Sequence, residues 1–281
     1  MCEYPKFSVL MSVYYKEQPE FLDQSLNSII HQTLVPTEIV VIKDGKLTPE
    51  LEGVITKYIE TYPFIHCYGY EKNKGLGLAL NYGVLKCDYD IIARMDSDDI
   101  AATDRFEKEM KTLIEHKFDM VGSNTEEFID DISNVVSVRI MPETNEEIME
   151  YSKKRNPFIH PSIMTYKSVL LDAGNYQDVY LCEDYDMWIR VLEKGYKVYN
   201  IQEFLVYMRV SKDFYKRRGG IKYCKGILSF KKTMYKKGYI TYKQYFKTKY
   251  ASLIVSLMPV FLREFIYKKI LRKKNRTYEK K

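Results

Sequence analysis

The sequence predicts an α/β fold in which a mostly parallel sheet is flanked by helices, and two patterns indicate it. Short, continuously apolar segments over 7–14, 38–43, 64–70 and 90–95 have the length of buried strands. Segments with apolar residues at helical spacing separate them along the chain. Strands that are apolar on both faces and alternate with amphipathic helices form parallel sheets with both faces covered.

Start signals mark the helices between these first strands. Pro19 opens the first helix, because its fixed backbone angle suits a first helical position. Thr48 and Pro49 start the second helix as N-cap and first helical residue. A glycine-containing segment, 73–83, leads into the third helix.

After residue 104 the patterns predict a less regular half. Thr144 and Glu147 form a capping box for one helix, and Glu183 opens another helix that Gly195 ends. Short strands are predicted at 120–121, 135–140, 197–199 and 204–210. We expect the body of the protein to end near residue 211, with halves of about 1–100 and 101–211.

Length and composition describe an ordinary globular chain. Its 281 residues, 46% of them hydrophobic, can bury a large core. The five cysteines and four histidines have no paired spacing, which argues against a zinc site or a disulfide framework. The first residues lack a basic segment followed by an apolar run, so we expect no secretory signal and a cytoplasmic location.

Charge is divided unevenly along the chain. Of 44 basic and 38 acidic side chains, 22 basic and 3 acidic ones lie in 212–281, a net charge of +19. The remaining 22 basic and 35 acidic side chains give the body a net charge of −13. An acidic body with a basic, aromatic tail suggests a polyanionic partner, either an anionic lipid surface or a nucleic acid.

The tail, 212–281, also contains an apolar stretch over 251–262. Pro259 interrupts this stretch, which is about half as long as the roughly 20 residues of a membrane-spanning helix. We expect the tail to lie on an anionic membrane surface rather than to cross the bilayer. The alternative is a helical subdomain that packs on the body and exposes a basic face.

The most informative motif is the acidic turn after the fourth strand, with Asp96, Asp98 and Asp99. Carboxylates at the end of a buried strand repel one another unless a cation joins them, and Mg²⁺ or Mn²⁺ prefers such oxygen ligands. Because Mg²⁺ in proteins often also binds substrate phosphates, we expect a diphosphate beside it. The alternative is a solvated acidic turn that caps the next helix.

Two more polar residues stand at the ends of predicted strands, Tyr14 after the first and Asp44 after the second. Ligands of parallel α/β sheets bind beyond the carboxyl ends of the strands. Three strand ends would therefore meet at one crevice. This convergence favours a metal and nucleotide site over an acidic helix cap.

With these motifs in place, the chain resembles family 2 glycosyltransferases of the GT-A fold, particularly those that assemble bacterial surface polysaccharides. The resemblance spans roughly residues 6 to 220. It rests on the first strand, Lys43-Asp44-Gly45, Asp96-Ser97-Asp98, and Glu183-Asp184 ahead of Trp188, in that order. It implies a Rossmann-like, mostly parallel sheet flanked by helices, followed by a helical C-terminal extension.

The resemblance also implies roles for individual residues. Tyr14 and Asp44 would belong to the nucleotide site, with Asp44 on the base, and Asp96 would contact the ribose side of the donor. Asp98 would bind the divalent metal, Mn²⁺ or Mg²⁺, that bridges the diphosphate. Asp184 would be the catalytic base.

Sugar transfer needs these two kinds of group. Displacing a nucleoside diphosphate from an anomeric carbon needs a Lewis acid at the leaving phosphate and a base for the attacking hydroxyl. A single base without a covalent carboxylate partner predicts inversion. Glu183 would help raise the pKa of Asp184. Alternatively, both acids stand in the first helical turn because the helix dipole favours them.

Two segments depart from the common family pattern and leave the diphosphate contacts open. Residues 43–46 read Lys-Asp-Gly-Lys rather than Asp-Asp-Gly-Ser, and Leu80 stands where arginine is frequent. Arg217 and Arg218 are candidates to supply positive charge from a loop that closes over the donor. A solvated basic loop is the alternative.

His160 and Trp188 are candidates for the acceptor side, because aromatic faces pack against sugar rings. Core packing is the alternative for Trp188, which lies one turn into an amphipathic helix.

We therefore expect a metal-assisted, inverting glycosyltransferase that moves a sugar from a UDP-sugar to a lipid-linked or surface glycan at the inner face of the cell membrane. A Mg²⁺-dependent nucleotidyltransferase of sugar phosphates is one alternative, but residues 14–17 lack its glycine-rich phosphate loop. A nucleic-acid-binding protein that uses the basic tail is the other. The acidic body argues against it, so we expect no nucleic-acid partner.

Overall fold

The computed structural model describes residues 4–210 and 219–266, in which nine strands form one sheet with helices around it. The strands are β1 (Phe7–Val13), β2 (Glu38–Asp44), β3 (Ile65–Tyr70), β4 (Ile91–Asp96), β5 (Ile100–Ala101), β6 (Met120–Ile129), β7 (Asp131–Arg139), β8 (Met164–Tyr166) and β9 (Val198–Arg209). The helices of the body are α1 (Pro19–Ile30), α2 (Pro49–Thr61), α3 (Leu76–Lys86), α4 (Arg105–Glu115), α5 (Asn145–Ser152), α6 (Lys167–Asp172) and α7 (Glu183–Glu193). The expected fold class is confirmed.

The sheet is parallel in its first half and mixed in its second. Its order is β3-β2-β1-β4-β8-β6-β9-β5, with β7 paired to β6. Strands β1 to β4 pair in parallel, whereas β8 is antiparallel to both β4 and β6. The parallel half therefore brings the carboxyl ends of β1, β2 and β4 to one edge, as the sequence predicts.

Two strands are longer than the sequence predicts. Strand β6 runs from 120 to 129, although the sequence predicts only 120–121. Polar side chains such as Ser123, Thr125 and Glu127 are buried within it, and they interrupt the apolar pattern from which a strand is predicted. Strand β9 joins the two predicted segments around residues 202–203 into one strand that pairs in parallel with β6.

Each face of the sheet has its own hydrophobic core. Val9 and Met11 of β1 pack on one side with helices α1, α2 and α4. Leu10, whose side chain points the other way, packs with α3, α6 and α7. This alternation explains why the strands are continuously apolar.

Among residues 219–266, three further helices follow the body, α8 (Ile221–Lys236), α9 (Tyr242–Leu257) and α10 (Val260–Ile266). Phe230 and Met234 of α8 pack with Tyr185 and Ile189 of α7 in a third apolar cluster. Helix α8 thus packs on the body, while the membrane-surface and solvated-face interpretations of the tail stay predictions. Within 4–210 and 219–266, no helix has both the length and the apolar composition that crossing a bilayer requires.

Candidate active site

The acidic turn lies at the carboxyl end of β4, in the middle of the sheet. Carboxylate oxygens of Asp96, Asp98 and Asp99 all lie within 4.8 Å of one another. The Ser25 hydroxyl of α1 donates a hydrogen bond to the Asp96 carbonyl (2.7 Å). The Arg209 backbone N–H at the end of β9 donates to Asp99 Oδ1 (2.9 Å). Two neighbouring elements thus hold the turn in place.

Negative charge at this turn is only partly compensated. The pKa of Asp98 is raised to about 7 by burial, then by the charges of Asp96 and Glu17. The pKa of Asp99 is also raised, first by burial and then by Asp98. Asp99 Oδ2 is buried and has no hydrogen-bond partner in the described structure. This set of hard oxygen donors fits a divalent cation.

One buried cation, Arg94, lies beneath the turn. Its side chain is 3% exposed and forms an ion pair with Asp96. Its charge also acts on two acids at the start of α7, Glu183 and Asp184, whose pKa values it lowers in opposition to the effect of burial. Arg94 thus links the acidic turn electrostatically to the start of α7. Arg94 was not predicted from the sequence, although a lone arginine within a mostly apolar strand was an available signal.

The predicted base, Asp184, is held by two hydrogen bonds. The side-chain amide of Asn156 donates to Oδ2 (2.6 Å) and the backbone N–H of Tyr185 donates to Oδ1 (2.7 Å). Burial nevertheless raises the pKa of Asp184. Burial, and then the charge of Asp184, raises the pKa of its neighbour Glu183 to about 7. A raised pKa suits a carboxyl group that acts as a general base, as proposed for Asp184.

Asp44 lies at the end of β2, where its carboxylate already has four donors. Oδ1 accepts from the Tyr70 hydroxyl (2.8 Å) and the Lys74 N–H (2.7 Å). Oδ2 accepts from the Asn73 side-chain amide (2.9 Å) and the Gly75 N–H (3.0 Å). In this conformation the carboxylate shapes the loop before α3. A bond to a nucleotide base would have to replace one of these four.

The remaining predicted residues occupy different environments. Tyr14 follows β1 and is 38% exposed, so a ligand can reach it. Trp188 is completely buried and packs against Phe158, His160 and other rings, so the prediction that it contacts the acceptor is wrong for this conformation; its bulk fills the core. Arg217 and Arg218 lie outside the described residues.

His160 is also withdrawn from the surface. Its ring is 9% exposed, and its Nε2 lies 3.1 Å from the Tyr176 hydroxyl. Burial, and then the charge of Arg94, lowers its pKa well below the usual value. The neutral ring therefore forms part of the wall behind Arg94 rather than an exposed sugar platform.

Two other contributors were not predicted. Arg209 donates from Nε to the Asp98 carbonyl (3.0 Å), and its guanidinium lies 3.9 Å from the centre of the Phe21 ring. Glu17 accepts a hydrogen bond from the Ser97 hydroxyl (2.6 Å). Both lie far from the acidic turn in sequence, so only the folded chain reveals their contact with it.

Comparison with known proteins decides the family. Residues 8–174, more than half of the chain, match the family described as glycosyl transferase family 2. This chain belongs to that family. The glycosyltransferase activity expected from the sequence is thereby confirmed, and neither a nucleotidyltransferase nor a nucleic-acid-binding protein gains support.

Two curated relatives of this glycosyltransferase match along nearly their whole length. The chain is 40% identical over 270 residues to the UDP-Gal:alpha-D-GlcNAc-diphosphoundecaprenol beta-1,3-galactosyltransferase of Escherichia coli, which covers 96% of this chain and 98% of the relative. It is 34% identical over 267 residues to the amylovoran biosynthesis glycosyltransferase AmsE of Erwinia amylovora; this match covers 94% of this chain and 98% of the relative.

Solved structures share the fold at low sequence identity. A mannosyltransferase from Pyrobaculum calidifontis, in complex with GDP-Man and Mn²⁺, has a TM-score of 0.64 and 16% identity over 89% of this chain and 69% of its own. S. aureus TarS 1-349, in complex with UDP-GlcNAc, has a TM-score of 0.62 and 16% identity, over 80% of this chain and 65% of its own. These likenesses support the GT-A fold.

Proposed function

We propose that this glycosyltransferase moves a sugar from a UDP-sugar to a lipid-linked glycan acceptor by a metal-assisted, inverting displacement. The observation that carries the proposal is the acidic turn at the end of β4, joined through buried Arg94 to the two acids at the start of α7. A metal-binding group and a general base are the two groups that this reaction requires.

The names of relatives support the donor and the acceptor. The E. coli relative, which aligns with almost the entire chain, is named for UDP-Gal and for a GlcNAc-diphosphoundecaprenol acceptor. TarS was solved with UDP-GlcNAc. We therefore propose a UDP-sugar as donor and a polyprenyl diphosphate glycan as acceptor, made for a surface polysaccharide.

Asp98, with Asp96 and Asp99 beside it, would hold Mn²⁺ or Mg²⁺. The raised pKa of Asp98 and the unpartnered buried oxygen of Asp99 support this proposal. A bound metal would neutralise charge on the departing diphosphate. The P. calidifontis mannosyltransferase of the same fold was solved with Mn²⁺.

Asp184 would accept the proton of the attacking acceptor hydroxyl. Asn156 and the Tyr185 N–H hold its carboxylate in a defined orientation, and burial raises its pKa. The expected effect of Glu183 on Asp184 runs the other way, because the charge of Asp184 raises the pKa of Glu183. One base and direct attack by the acceptor give inversion at the anomeric carbon.

The nucleotide would lie over the ends of β1 and β2. Exposed Tyr14 would contact it, while Asp44 would act on the base directly or through the loop 73–75 that it holds. Asp96 would face the ribose from its ion pair with Arg94. Closure of Arg217 and Arg218 over the donor stays a prediction.

The chain would divide into a catalytic domain, 1–211, and a basic helical tail, 212–281. The strand ends that form the nucleotide-sugar half lie within about 1–100, and the acceptor half would be about 101–211. Because the proposed acceptor is a membrane lipid, we place the enzyme peripherally on the inner face of the cell membrane.

A panel of UDP-Gal, UDP-GlcNAc, UDP-Glc and GDP-Man, each with and without Mn²⁺, tests the donor. A true donor should raise the melting temperature through mass action, and only with Mn²⁺. The donor found is then assayed with a short-chain lipid diphosphate GlcNAc acceptor, and the anomeric configuration of the product is read by NMR. Failure of every UDP-sugar to stabilise the Mn²⁺-loaded protein would contradict the proposal.

A further inference from the structure

Helices α9 and α10 expose several large apolar side chains. Phe246, Tyr250, Ile254 and Leu257 follow one another at intervals of four, four and three residues, so they share one side of α9. Each is at least 47% exposed. Phe261, on the following helix α10, is 73% exposed. We call these five residues the α9–α10 face.

Positive charge borders this face. Lys243 and Lys247 are exposed on α9, beside its apolar residues. Residues 219–266 contain ten lysine and arginine residues and one acidic residue, Glu264. The sequence of 267–281 adds eight basic residues and one acidic residue.

Arg263 holds α10 so that this face stays open. Its side chain is 3% exposed, and it donates to the carbonyls of Val255 (2.9 Å), Ser256 (2.8 Å) and Met258 (2.8 Å) at the end of α9. The Arg263 guanidinium thus caps the carboxyl end of α9. The apolar residue Phe261 of α10 is left facing outward.

The face is connected to the catalytic body through α8. Helix α8 packs along α9, and its Lys231 is buried against the body. Lys231 Nζ donates to the Tyr185 hydroxyl (2.9 Å) and to the Lys154 carbonyl (3.2 Å). Tyr185 is the residue after Asp184. The orientation of the α9–α10 face therefore determines how the base-bearing helix is presented.

We propose that the α9–α10 face lies on an anionic lipid bilayer and turns the catalytic cleft toward a membrane-held acceptor; this last step rests on the proposed function. An apolar face edged by lysines matches the boundary between acyl chains and anionic headgroups. A symmetric dimer through the same face would instead bring the lysines of two copies together, with one glutamate per copy among the ten basic residues of 219–266.

Vesicle sedimentation of the full chain tests the proposal. Vesicles of phosphatidylcholine alone are compared with vesicles of equal parts phosphatidylcholine and phosphatidylglycerol. We expect binding to the anionic vesicles that weakens with salt. Ile254→Ser with Leu257→Ser and Phe261→Ser, and separately Lys243→Gln with Lys247→Gln, should each lower the partition coefficient by about tenfold or more.

Val35→Ser with Leu85→Ser is the matched control, because these side chains are 50% and 58% exposed elsewhere on the body. The control should bind vesicles like the unmodified chain. Donor-induced stabilisation should stay unchanged in all variants, which separates this proposal from the donor proposal. Equal sedimentation of the triple variant and the unmodified chain would overturn the proposal. So would a dimer that the triple variant converts to a monomer, since a second copy would then cover the face.

Discussion

At the scale of single residues, the site is an excess of buried carboxylates around one buried arginine. Arg94 pairs with Asp96 and reaches the acids of α7 electrostatically, while Asp98 has a pKa raised to about 7. Such a balance is costly to keep without a ligand. The arrangement therefore favours a divalent cation and predicts strong effects from single substitutions.

Replacing Asp98 with Asn should remove metal-dependent donor binding. We expect kcat/KM to fall about a hundredfold or more, because charge at the leaving diphosphate is no longer neutralised. The D98N variant should show no Mn²⁺-dependent stabilisation by the donor. The unmodified enzyme should lose the same stabilisation when EDTA removes the metal. Asp172→Asn, at an exposed carboxylate on α6, is the control. A D98N enzyme with normal kinetics would remove Asp98 from the mechanism.

The pH dependence of activity should report the ionisation of Asp184, the proposed base. Burial raises the pKa of Asp184, so activity should be lost as pH falls through that raised value. Asn156→Ala removes a hydrogen bond to the ionised form and should move this acid limb to higher pH. Glu183→Gln should move this limb little, because it is the charge of Asp184 that raises the pKa of Glu183 and not the reverse. An acid limb that Asn156→Ala leaves in place or moves to lower pH would contradict the assignment.

Arg94→Met should damage both stability and catalysis. Breaking the buried ion pair leaves Asp96 uncompensated, which should lower the free energy of unfolding by about 3 to 5 kcal/mol. Urea denaturation measures this loss. Adding Asp96→Asn should restore part of the stability but not kcat. A double variant no more stable than R94M would show that the uncompensated Asp96 carboxylate is not the cause of the lost stability.

At the scale of elements, the site depends on a close approach of α3 to α7. A Cβ on Gly77 would lie 2.6 Å from the Gln177 carbonyl oxygen and 3.0 Å from the Glu183 Cβ. Only glycine therefore lets the first turn of α3 reach the acids of α7. The loop 73–75, which Asp44 holds, ends where this turn begins.

Gly77→Ala should consequently force α3 away from α7. We expect a fall in kcat/KM of about tenfold, since a small displacement of a catalytic group has effects of this size or larger. Gly53→Ala is the matched control, because it lies within helix α2 and a Cβ there meets nothing within 4 Å. The control should keep full activity and gain roughly 0.5 to 1 kcal/mol in unfolding free energy. Full activity of G77A would contradict the proposed contact.

At the scale of the whole molecule, the helical tail and the catalytic body share a core. Phe230 and Met234 of α8 pack on Tyr185 and Ile189 of α7. Lys231 of α8 is buried and donates to the Tyr185 hydroxyl and to the Lys154 carbonyl, which follows α5. The tail is thus tied to the same helix start that carries the predicted base. This packing makes the orientation of the tail part of the architecture of the site.

Lys231 should make stability depend on pH. Burial lowers its pKa to about 8 from the 10.5 of an exposed lysine. Between these values the unfolded chain binds more protons than the folded chain, so this residue makes the unfolding free energy rise with pH, by up to about 3 kcal/mol. Buried cysteines and tyrosines with raised pKa values act in the opposite direction over the same window, so the test is a difference between variants. The unfolding free energy of the unmodified chain, minus that of Lys231→Met, should increase with pH, and exposed Lys232→Met should follow the unmodified chain. A difference that does not change with pH would contradict the prediction.

The sequence by itself determined the parallel half of the sheet and the acidic turn. Uninterrupted apolar runs, Pro19 and Thr48 mark their elements locally, and Asp96 to Asp99 stand together in the chain. These features depend on residues close in sequence, so periodicity and spacing reveal them. The family resemblance rested on the same local motifs.

Only the tertiary structure decided which distant groups surround the turn. Arg209 reaches it from β9, and Asn156 orients Asp184, because sheet order and helix packing bring separate segments together. Burial likewise separated Trp188, which fills the core, from Tyr14, which faces solvent, although both are aromatic. Long-range contacts and solvent exposure are properties of the folded chain, and no local pattern encodes them.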